Sequence, residues 1–347
     1  MNKTKLNEMF TKTGVEVLIS EAPQTRLWYT GIQTTDGLIA IEKDCATLFV
    51  DGRYIEYAQK YAKNVEVVLL TGDAIKKWFE AKNFKKIALE KEYLVKEVQD
   101  RILSWTQPQH IEWISGQQLR IQKDKNEIKL IQKAVDISMQ ALEELKQWIK
   151  PGMTEKEVAA KLNYLLKIHG AEKEGFEEIV ASAENSAEPH HHPTDKKLVN
   201  NSLLKIDFGA QYQGYTADIT RTFILGDEKL ADPKQLEILQ IVKESAAAGR
   251  KAVRPGIKAS EIDKICRNYI TAKGYGDYFV HSTGHGLGID VHEFPIVSKS
   301  SDYVLEPGMI LTVEPGIYIK GLGGARIEDD VLVTEDGHYV FSRPNEK

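Results

Sequence analysis

The strongest constraint on the fold is a diverged internal repeat in the second part of the chain. The segment PGMTEKEVAAKLNYLLKIHG at 151–170 aligns without gaps with PGIKASEIDKICRNYITAKG at 255–274, at a constant offset of 104 residues. Any two amphipathic helices share apolar spacing, but proline, glycine and glutamate also coincide, which favours duplication. The matched pairs are Pro151/Pro255, Gly152/Gly256, Glu157/Glu261 and Gly170/Gly274. Two related halves facing each other are expected to form a site between them.

The first part of the chain alternates short apolar runs with helical patterns. VEVLIS, GLIAIE, ATLFVDG, VEVVLL and KKIALE predict strands, whereas RYIEYAQKYA and AIKKWFEAK predict helices. This is an α/β layer of roughly 110 residues, a normal domain size. The turn-rich QPQHIEWISG closes it, and the charged helix KDKNEIKLIQKAVDISMQALEELKQWI follows. We therefore expect domains at 1–120 and 121–347.

Composition excludes several classes of protein. The 347 residues are 42% hydrophobic and 28% charged, which is typical of a globular protein, and the net charge of −5 argues against a nucleic-acid partner. Only Cys45 and Cys266 are present, so neither a disulfide framework nor a thiolate metal site is expected, and a reducing cytoplasm is the predicted location. The sequence has no signal-peptide pattern and no run of 18 apolar residues, so no membrane association is predicted.

Acidic residues interrupt two pairs of strand-like runs. In LLKIDFGAQYQGYTADITRTF, a loop at Tyr212-Gln213 would place Asp207 opposite Asp218, with Cβ atoms roughly 5 Å apart. Taken alone, this hairpin favours a sheet with one face in water. In GMILTVEPGIYIKGLGGARIEDDVLV, Glu314 and Glu328 are equidistant from the turn and would pair as well. Four converging carboxylates repel one another, and two divalent cations would resolve the conflict.

Histidines lie between the two acidic hairpins. HSTGHGLGIDVHEFP contains His281, His285 and His292, and glycines on both sides of His285 let its imidazole enter a crowded site. One nitrogen ligand among carboxylates suits Mn, Fe, Co or Zn. The tract PHHHP at 189–193 is either a metal-binding tract or an exposed loop. Two metals can hold a hydroxide as nucleophile and polarise a carbonyl, so the residues predict hydrolysis of an amide-like bond without saying which amide.

The combined motifs resemble the metallopeptidases of the pita-bread fold, which include prolidase, aminopeptidase P and methionine aminopeptidase. The resemblance lies in IDFGAQYQGYTADITRTF, HSTGHGLGIDVHEFP, LTVEPGIYI and GARIEDD, with NSAEPHH upstream. TRLWYTGI and LFVDGRYIEYA are similar to the N-terminal domain of prolidases and aminopeptidase P. The resemblance implies an α/β N-terminal domain for dimerisation and substrate gating. An α+β pita-bread catalytic domain with a pseudo-two-fold internal duplication would follow it.

The resemblance also implies roles for particular residues. The two metal ions, with manganese expected first and Co, Zn or Fe as alternatives, would be held by Asp207, Asp218, His285, Glu314 and Glu328. Asp218 and Glu328 would bridge the ions, and Glu314 would also carry the proton. The residues implied around them are His281 and His292 at the substrate, His190 or its competitor His191 near the substrate amine or leaving group, and Arg326 behind the ligands. Ala183 stands where the family often has glycine.

The implied reaction is cleavage between an N-terminal residue and a following proline, by attack of a metal-bridging hydroxide. Proline forms a tertiary amide with no N–H, on which peptidases that need this hydrogen fail. The implied partners are proline-containing peptides or dipeptides and a second copy of the chain. Dipeptidase and aminopeptidase activity stay open. The alternatives are a same-fold aminopeptidase without proline specificity, a creatinase-like hydrolase and a non-catalytic peptide- or protein-binding protein.

Overall fold

The computed structural model describes residues 1–343 of the chain. It divides into two compact units, Met1–Arg120 and Ile121–Lys347, each of which is described by itself. Within the described residues, no helix combines the length and the apolar character needed to cross a bilayer.

The first unit is built on one six-stranded sheet. Its strands are β1 Val17–Ser20, β2 Leu38–Glu42, β3 Ala46–Val50, β4 Glu66–Leu69, β5 Lys86–Glu90 and β6 His110–Ile114. Its helices are α1 Thr4–Thr13, α2 Pro23–Thr30, α3 Ile55–Tyr61, α4 Gly72–Lys82, α5 Lys96–Thr106 and α6 Gly116–Leu119. The strand order is β4-β3-β2-β1-β5-β6, with β1, β2 and β3 antiparallel and the outer strands joined in parallel.

The five strands and two helices predicted for this unit are confirmed, but the prediction for QPQHIEWISG is wrong. That segment contains β6, which pairs in parallel with β5. β6 is an edge strand whose Trp113 is 43% exposed, so the sequence lacks the continuous apolar run of a central strand. The proline and glycine in this segment therefore favoured the prediction of a turn over that of a strand.

The second unit contains four long helices and thirteen strands among the described residues. The helices are α7 Lys125–Trp148, α8 Glu155–Ile168, α9 Pro233–Ala252 and α10 Ala259–Ala272, with short 3₁₀ turns at Ala183–Ala187, Glu228–Leu230 and Gly276–Tyr278. The strands are β7 Lys173–Glu174, β8 Ile179–Ser182, β9 Ser202–Phe208, β10 Ala210–Tyr212, β11 Tyr215–Thr216, β12 Ile219–Leu225, β13 Gly284–Gly286, β14 Glu293–Val297, β15 Ile310–Val313, β16 Gly316–Ile319, β17 Gly323–Arg326, β18 Asp329–Val333 and β19 His338–Val340. The sheets have the orders β12-β9-β8, β11-β10-β7, β14-β13-β15-β18-β19 and β16-β17.

The predicted duplication is confirmed. Helices α8 and α10 begin and end 104 residues apart, and each packs on the long helix that precedes it, α7 or α9. The Pro-Gly entries also match, because the N–H of Gly152 donates to Leu198 and that of Gly256 to Leu305, at 3.0 and 2.9 Å. The copies differ at the helix start, where Thr154 and Glu157 form a capping box but Lys258 makes no side-chain cap.

The register predicted for the first acidic hairpin is wrong by two residues. Asp207 lies opposite Thr220, not Asp218, and the loop is Gln213-Gly214. Both loop residues have positive φ, 47° and 79°, as the favoured two-residue hairpin turn requires, and glycine adopts this conformation readily. A shift of two residues preserves the face of each side chain, so carboxylate oxygens of Asp207 and Asp218 still lie within 4.8 Å of each other.

The alternative of a sheet with one wet face is also wrong. Lys205, Thr220 and Thr222, which share the face of Asp207, are all buried. In the second hairpin the predicted register is confirmed, because Gly316 pairs with Arg326 and Val313 with Asp329. Both pairings have the same register, and that register places Glu314 level with Glu328.

The corrected turn predicts the effect of two substitutions. Gly214→Ala should lower the free energy of unfolding by about 1–2 kcal/mol, because an L-residue is strained in the left-handed region. Gln213→Asn, the matched control in the same loop, should leave stability unchanged or slightly raised, because asparagine tolerates positive φ. Urea unfolding of both variants measures the difference, and a Gly214→Ala variant as stable as the parent would contradict this register.

Candidate metal centre

All nine predicted site residues line one pocket of the second unit. Its volume is about 550 Å³, within the range of roughly 300–1,000 Å³ usual for ligand sites. The predicted metal ligands reach it from five strands: Asp207 lies in β9, Asp218 precedes β12, His285 is the central residue of β13, Glu314 follows β15 and Glu328 precedes β18.

Small residues around His285 let its strand fit between two neighbours. A Cβ on Gly284 would lie 2.0 Å from the carbonyl oxygen of Thr312, and one on Gly286 would lie 2.1 Å from that of Phe294. Both distances are far below van der Waals contact, so strands β14 and β15 could not approach β13 as they do. The glycines thus bring the imidazole close to the acidic residues.

The protonation of His285 indicates what the site accepts. Its Nδ1 lies 3.0 Å from the carbonyl oxygen of Gly286 and donates to it, which leaves a lone pair on Nε2. Nε2 faces Asp218 Oδ2 at 3.6 Å and Glu314 Oε1 at 3.4 Å. Burial, followed by the charge of His292, lowers the pKa of His285 to about 3, so the ring is neutral. A lone pair facing two ionised carboxylates is repulsive unless a proton or a metal ion lies between them.

The carboxylates are mutually destabilising when ionised. Burial, and then the charges of Glu328 and Asp207, raise the pKa of Asp218 well above its usual range. Burial, and then Glu314 and Asp207, do the same for the pKa of Glu328. Burial raises the pKa of Glu314 to about 8. Burial and mutual repulsion therefore disfavour the ionised form of these groups unless another positive charge is present.

One carboxylate oxygen supports the same conclusion. Oδ1 of Asp207 is buried and has no hydrogen-bond partner within residues 1–343, whereas Oδ2 accepts from Arg326 Nη2. Burying a carboxylate oxygen without a hydrogen bond costs folding free energy, and a bound cation would remove that cost. Four carboxylates and one imidazole are a donor set that suits Mn, Fe, Co or Zn.

Arg326 lies behind the carboxylates. Its Nε donates to Thr220 Oγ1 at 2.9 Å and its Nη1 to the Tyr318 hydroxyl at 2.9 Å. Nε is also 3.9 Å from a carboxylate oxygen of each of Glu314 and Glu328. The guanidinium therefore offsets part of the negative charge and fixes the orientation of Asp207.

Tyr318 is a site residue that the motifs did not reveal. His281 Nδ1 donates to the carbonyl of Ser282 at 2.7 Å, so its Nε2, 2.9 Å from the Tyr318 hydroxyl, accepts from it. A chain of hydrogen bonds thus joins Arg326, Tyr318 and His281. Burial, followed by the charge of Arg326, lowers the pKa of His281 to about 3 and keeps it neutral.

The structure distinguishes the two histidines that competed for one role. His191 is buried, with Nε2 at 2.9 Å from Glu155 and Nδ1 at 2.8 Å from Glu188, so both its nitrogens are engaged. His190 is exposed at the pocket wall. Ala183 has a φ of 53°, in the left-handed region, which glycine adopts more readily than alanine.

Lys205 holds the loop that carries His190. Its side chain is fully buried, and Nζ donates to the carbonyls of Ser186, Glu188 and Pro189 at 3.2, 2.6 and 3.3 Å. A sheet with one face in water would leave this lysine exposed, so sequence reasoning missed this role. His292 is exposed, with a ring nitrogen within 4.8 Å of ligand atoms of Asp218 and His285.

Comparison with known families agrees with this geometry. The family described as Metallopeptidase family M24 matches residues 129–335, and the Creatinase/Prolidase N-terminal domain matches residues 3–106. The chain belongs to metallopeptidase family M24. The predicted resemblance and fold class are confirmed.

Relatives of this M24 chain carry two kinds of name. The Xaa-Pro dipeptidase of Pyrococcus furiosus is 37% identical over 351 residues, covering 96% of this chain and 95% of its own. The solved Xaa-Pro dipeptidase from Bacillus anthracis is 36% identical with a TM-score of 0.92, covering 99% of this chain and 97% of its own. The X-Pro aminopeptidase from Thermotoga maritima is 34% identical with a TM-score of 0.90, covering 99% of each chain.

The raised pKa of Glu314 predicts how the stability of the metal-free M24 protein depends on pH. The folded state keeps a proton that the unfolded state releases near pH 4.5, so this contribution to stability is lost as pH rises towards about 8. The chelated protein should therefore be less stable to urea at pH 8 than at pH 5.5, and added Mn²⁺ should stabilise it more at pH 8. Glu314→Gln should reduce the fall with pH, and an equal fall in that variant would contradict the assignment.

The two adjacent histidines predict opposite phenotypes. His191→Ala should lower the free energy of unfolding by about 1–3 kcal/mol, because the buried Glu155 loses a hydrogen-bond partner. His190→Ala should leave the unfolding free energy within about 0.5 kcal/mol of the parent, because the residue is exposed, but should reduce peptidase activity. Urea unfolding and an activity assay on both variants separate the effects, and a reversal of the two phenotypes would refute the distinction.

Proposed function

We propose that this chain hydrolyses the peptide bond between an N-terminal residue and a following proline, using two divalent metal ions. The observation that carries the proposal is the neutral His285, whose lone pair faces Asp218 and Glu314. The substrate class is supported by relatives whose names are Xaa-Pro dipeptidase and X-Pro aminopeptidase.

The proposed ligands are the five residues predicted from the sequence. Asp207, Asp218, His285, Glu314 and Glu328 would hold the two ions, with Asp218 and Glu328 shared between them. When bound, the ions supply Lewis acidity and lower the pKa of water. Arg326 keeps Asp207 oriented and limits the net charge around the carboxylates.

Glu314 is the proposed proton carrier. It is partly exposed to the pocket, and Thr312 Oγ1 donates to its Oε1 at 3.4 Å. The nitrogen of a peptide bond to proline bears no hydrogen, so it needs one proton to leave as a neutral secondary amine. A carboxylate that takes a proton from the attacking water can deliver it to that nitrogen.

Histidines at the wall are proposed to contact the substrate. His292 would donate to the oxygen on which negative charge develops, and His190 would lie near the amine or leaving group. His281 lines the same pocket, but both its nitrogens are engaged. A hydrogen bond from His281 to substrate would have to replace its bond to Ser282 or Tyr318.

Part of the pocket wall is apolar, which supports a substrate with a proline ring. The apolar side chains that line it are Phe176, Ile179, Val291 and Ile296. Such a surface gains free energy from covering the ring, roughly 25 cal/mol per Å² of apolar area removed from water. The acidic and basic groups lie together at the metal centre, so the pocket offers both an apolar and a polar subsite.

The proposal also covers the role of residues 1–120, the native metal, the location and the type of peptidase. Residues 1–120 would serve dimerisation and substrate gating, manganese would be the native metal, and the cytoplasm would be the location. Dipeptidase and aminopeptidase activity are both compatible with the pocket. A non-catalytic binding protein is disfavoured because all five ligand residues are present.

The proposal predicts metal-dependent release of proline from Xaa-Pro substrates. Chelation should abolish the reaction and Mn²⁺ should restore it, while Glu314→Gln should lower kcat by about 10²- to 10⁴-fold. Glu261→Gln, an equivalent change at an exposed helix position, is the matched control and should be fully active. Rates on Xaa-Pro and Xaa-Pro-Yaa compared side by side distinguish dipeptidase from aminopeptidase. Full activity after removal of all metal would refute the proposal.

A further inference from the structure

Helix α10 carries a charged pair that is buried rather than exposed. Asp263 and Arg267 are one helical turn apart, a spacing that stabilises an exposed helix only slightly. Here Asp263 is fully buried, and its Oδ2 and Oδ1 accept from Nε and Nη2 of Arg267 at 3.0 and 2.9 Å. Among the described residues that line the pocket of the metal centre, neither is present. A buried charge is costly unless hydrogen bonds satisfy it, so the other partners of this pair indicate its role.

The guanidinium of Arg267 also holds the segment that leads into β13. Its Nη1 donates to the carbonyl oxygen of Phe279 and its Nη2 to that of His281, both at 2.8 Å. The guanidinium carbon lies 4.1 Å from the centroid of the Phe279 ring, which is a cation–π contact. That ring in turn meets the His281 imidazole edge-on, with centroids 5.1 Å apart. Arg267 therefore reaches His281 by two routes, one through the backbone and one through an aromatic ring.

Asp263 holds the same segment on the other side of His281. Its Oδ1 accepts from both the N–H and the hydroxyl of Thr283, at 3.2 and 2.9 Å. The carbonyl oxygen of Thr283 accepts from the N–H of Glu314 at 2.8 Å. Thr283 is fully buried, so water does not compete for these hydrogen bonds. The charged pair on α10 thus fixes the backbone at His281 and, through Thr283, the backbone at Glu314.

The duplicated half has a contact of the same kind. At the offset of 104 residues, Asn163 in α8 stands at the position of Arg267, and Ala159 at that of Asp263. Asn163 Nδ2 donates to Glu178 Oε1 at 3.1 Å, in a segment that follows α8 and lines the pocket. This helix position therefore contacts the wall of the metal centre in both halves. In the second half a buried charged pair makes the contact, and charge-assisted hydrogen bonds hold the wall more firmly than a neutral amide does.

We propose that Arg267 is a positioning residue for the peptidase reaction and acts through His281. This inference rests on the proposed function, in which His281 lines the substrate pocket. The ring nitrogens of His281 are held by Ser282 and Tyr318, and Arg267 fixes the backbone that carries the ring. A displacement of about 1 Å at a substrate-facing group can lower a rate about 10²-fold, so a side chain outside the pocket can control activity.

The test is a double-mutant cycle on the metal-loaded enzyme with an Xaa-Pro dipeptide. Arg267→Lys keeps a charge beside Asp263 but loses the planar fork that joins the two carbonyl oxygens, so the variant should keep the parent Tm while kcat/KM falls about three- to thirtyfold. In the His281→Ala background, the same change should alter kcat/KM less than about twofold, because the residue through which Arg267 acts is gone. Arg254→Lys, the matched control at an exposed position of the same unit, should leave kcat/KM unchanged in both backgrounds.

Two kinetic outcomes would overturn the proposal. The first is parent activity in Arg267→Lys. The second is an equal loss of kcat/KM with and without His281, which is what a general loss of folded protein would produce.

A second measurement does not need turnover, so it separates this inference from the proposed function. In Zn²⁺-loaded protein labelled with ¹⁵N-histidine, the ring signals of His281 are identified by their loss in His281→Ala. Their ¹⁵N shifts report the hydrogen bonds of Nδ1 and Nε2, and they should move in Arg267→Lys but not in Arg254→Lys. Unmoved signals in Arg267→Lys would overturn the inference. A parent that releases no proline but shows the shift would refute the proposed function and still support the positioning of His281 by Arg267.

Discussion

The repulsion among buried acidic groups is the constraint on which the second unit depends. Asp207, Asp218, Glu314 and Glu328 come together beside an imidazole that is neutral and presents a lone pair. Low dielectric surroundings strengthen this repulsion, so the arrangement is stable only with protons or metal ions among the carboxylates. Arg326 supplies one positive charge, which leaves most of the negative charge for divalent ions to neutralise.

The duplication explains how one chain positions these groups. Each half contributes a pair of long helices and an antiparallel sheet whose strands carry the acidic residues. Side chains alternate between the faces of a strand, so a fixed register keeps these side chains on the pocket side. The helices bury the opposite faces of the sheets in two apolar cores, and these cores resist displacement of the strands that position the acidic residues.

The sequence was sufficient for features that repeat or alternate, and insufficient where a single contact decides. The repeat located α8 and α10, and the spacing around the glycine-rich turn gave the register of Glu314 and Glu328. The Asp207 hairpin was misaligned because the choice of loop depends on which residues accept positive φ. Tyr318 and Lys205 were not found because their roles arise from distant partners, which no local pattern records.

The crowding around His285 separates two kinds of evolutionary freedom. A side chain at Gly284 or Gly286 would collide with neighbouring backbone, so the strand that delivers the imidazole can change only together with the strands beside it. The apolar wall residues Phe176 and Ile296 instead present their side chains to the pocket, where a change of size alters its lining. Substitutions along the wall can therefore change the shape of the pocket during evolution. The strands around His285, in contrast, can change only as a group.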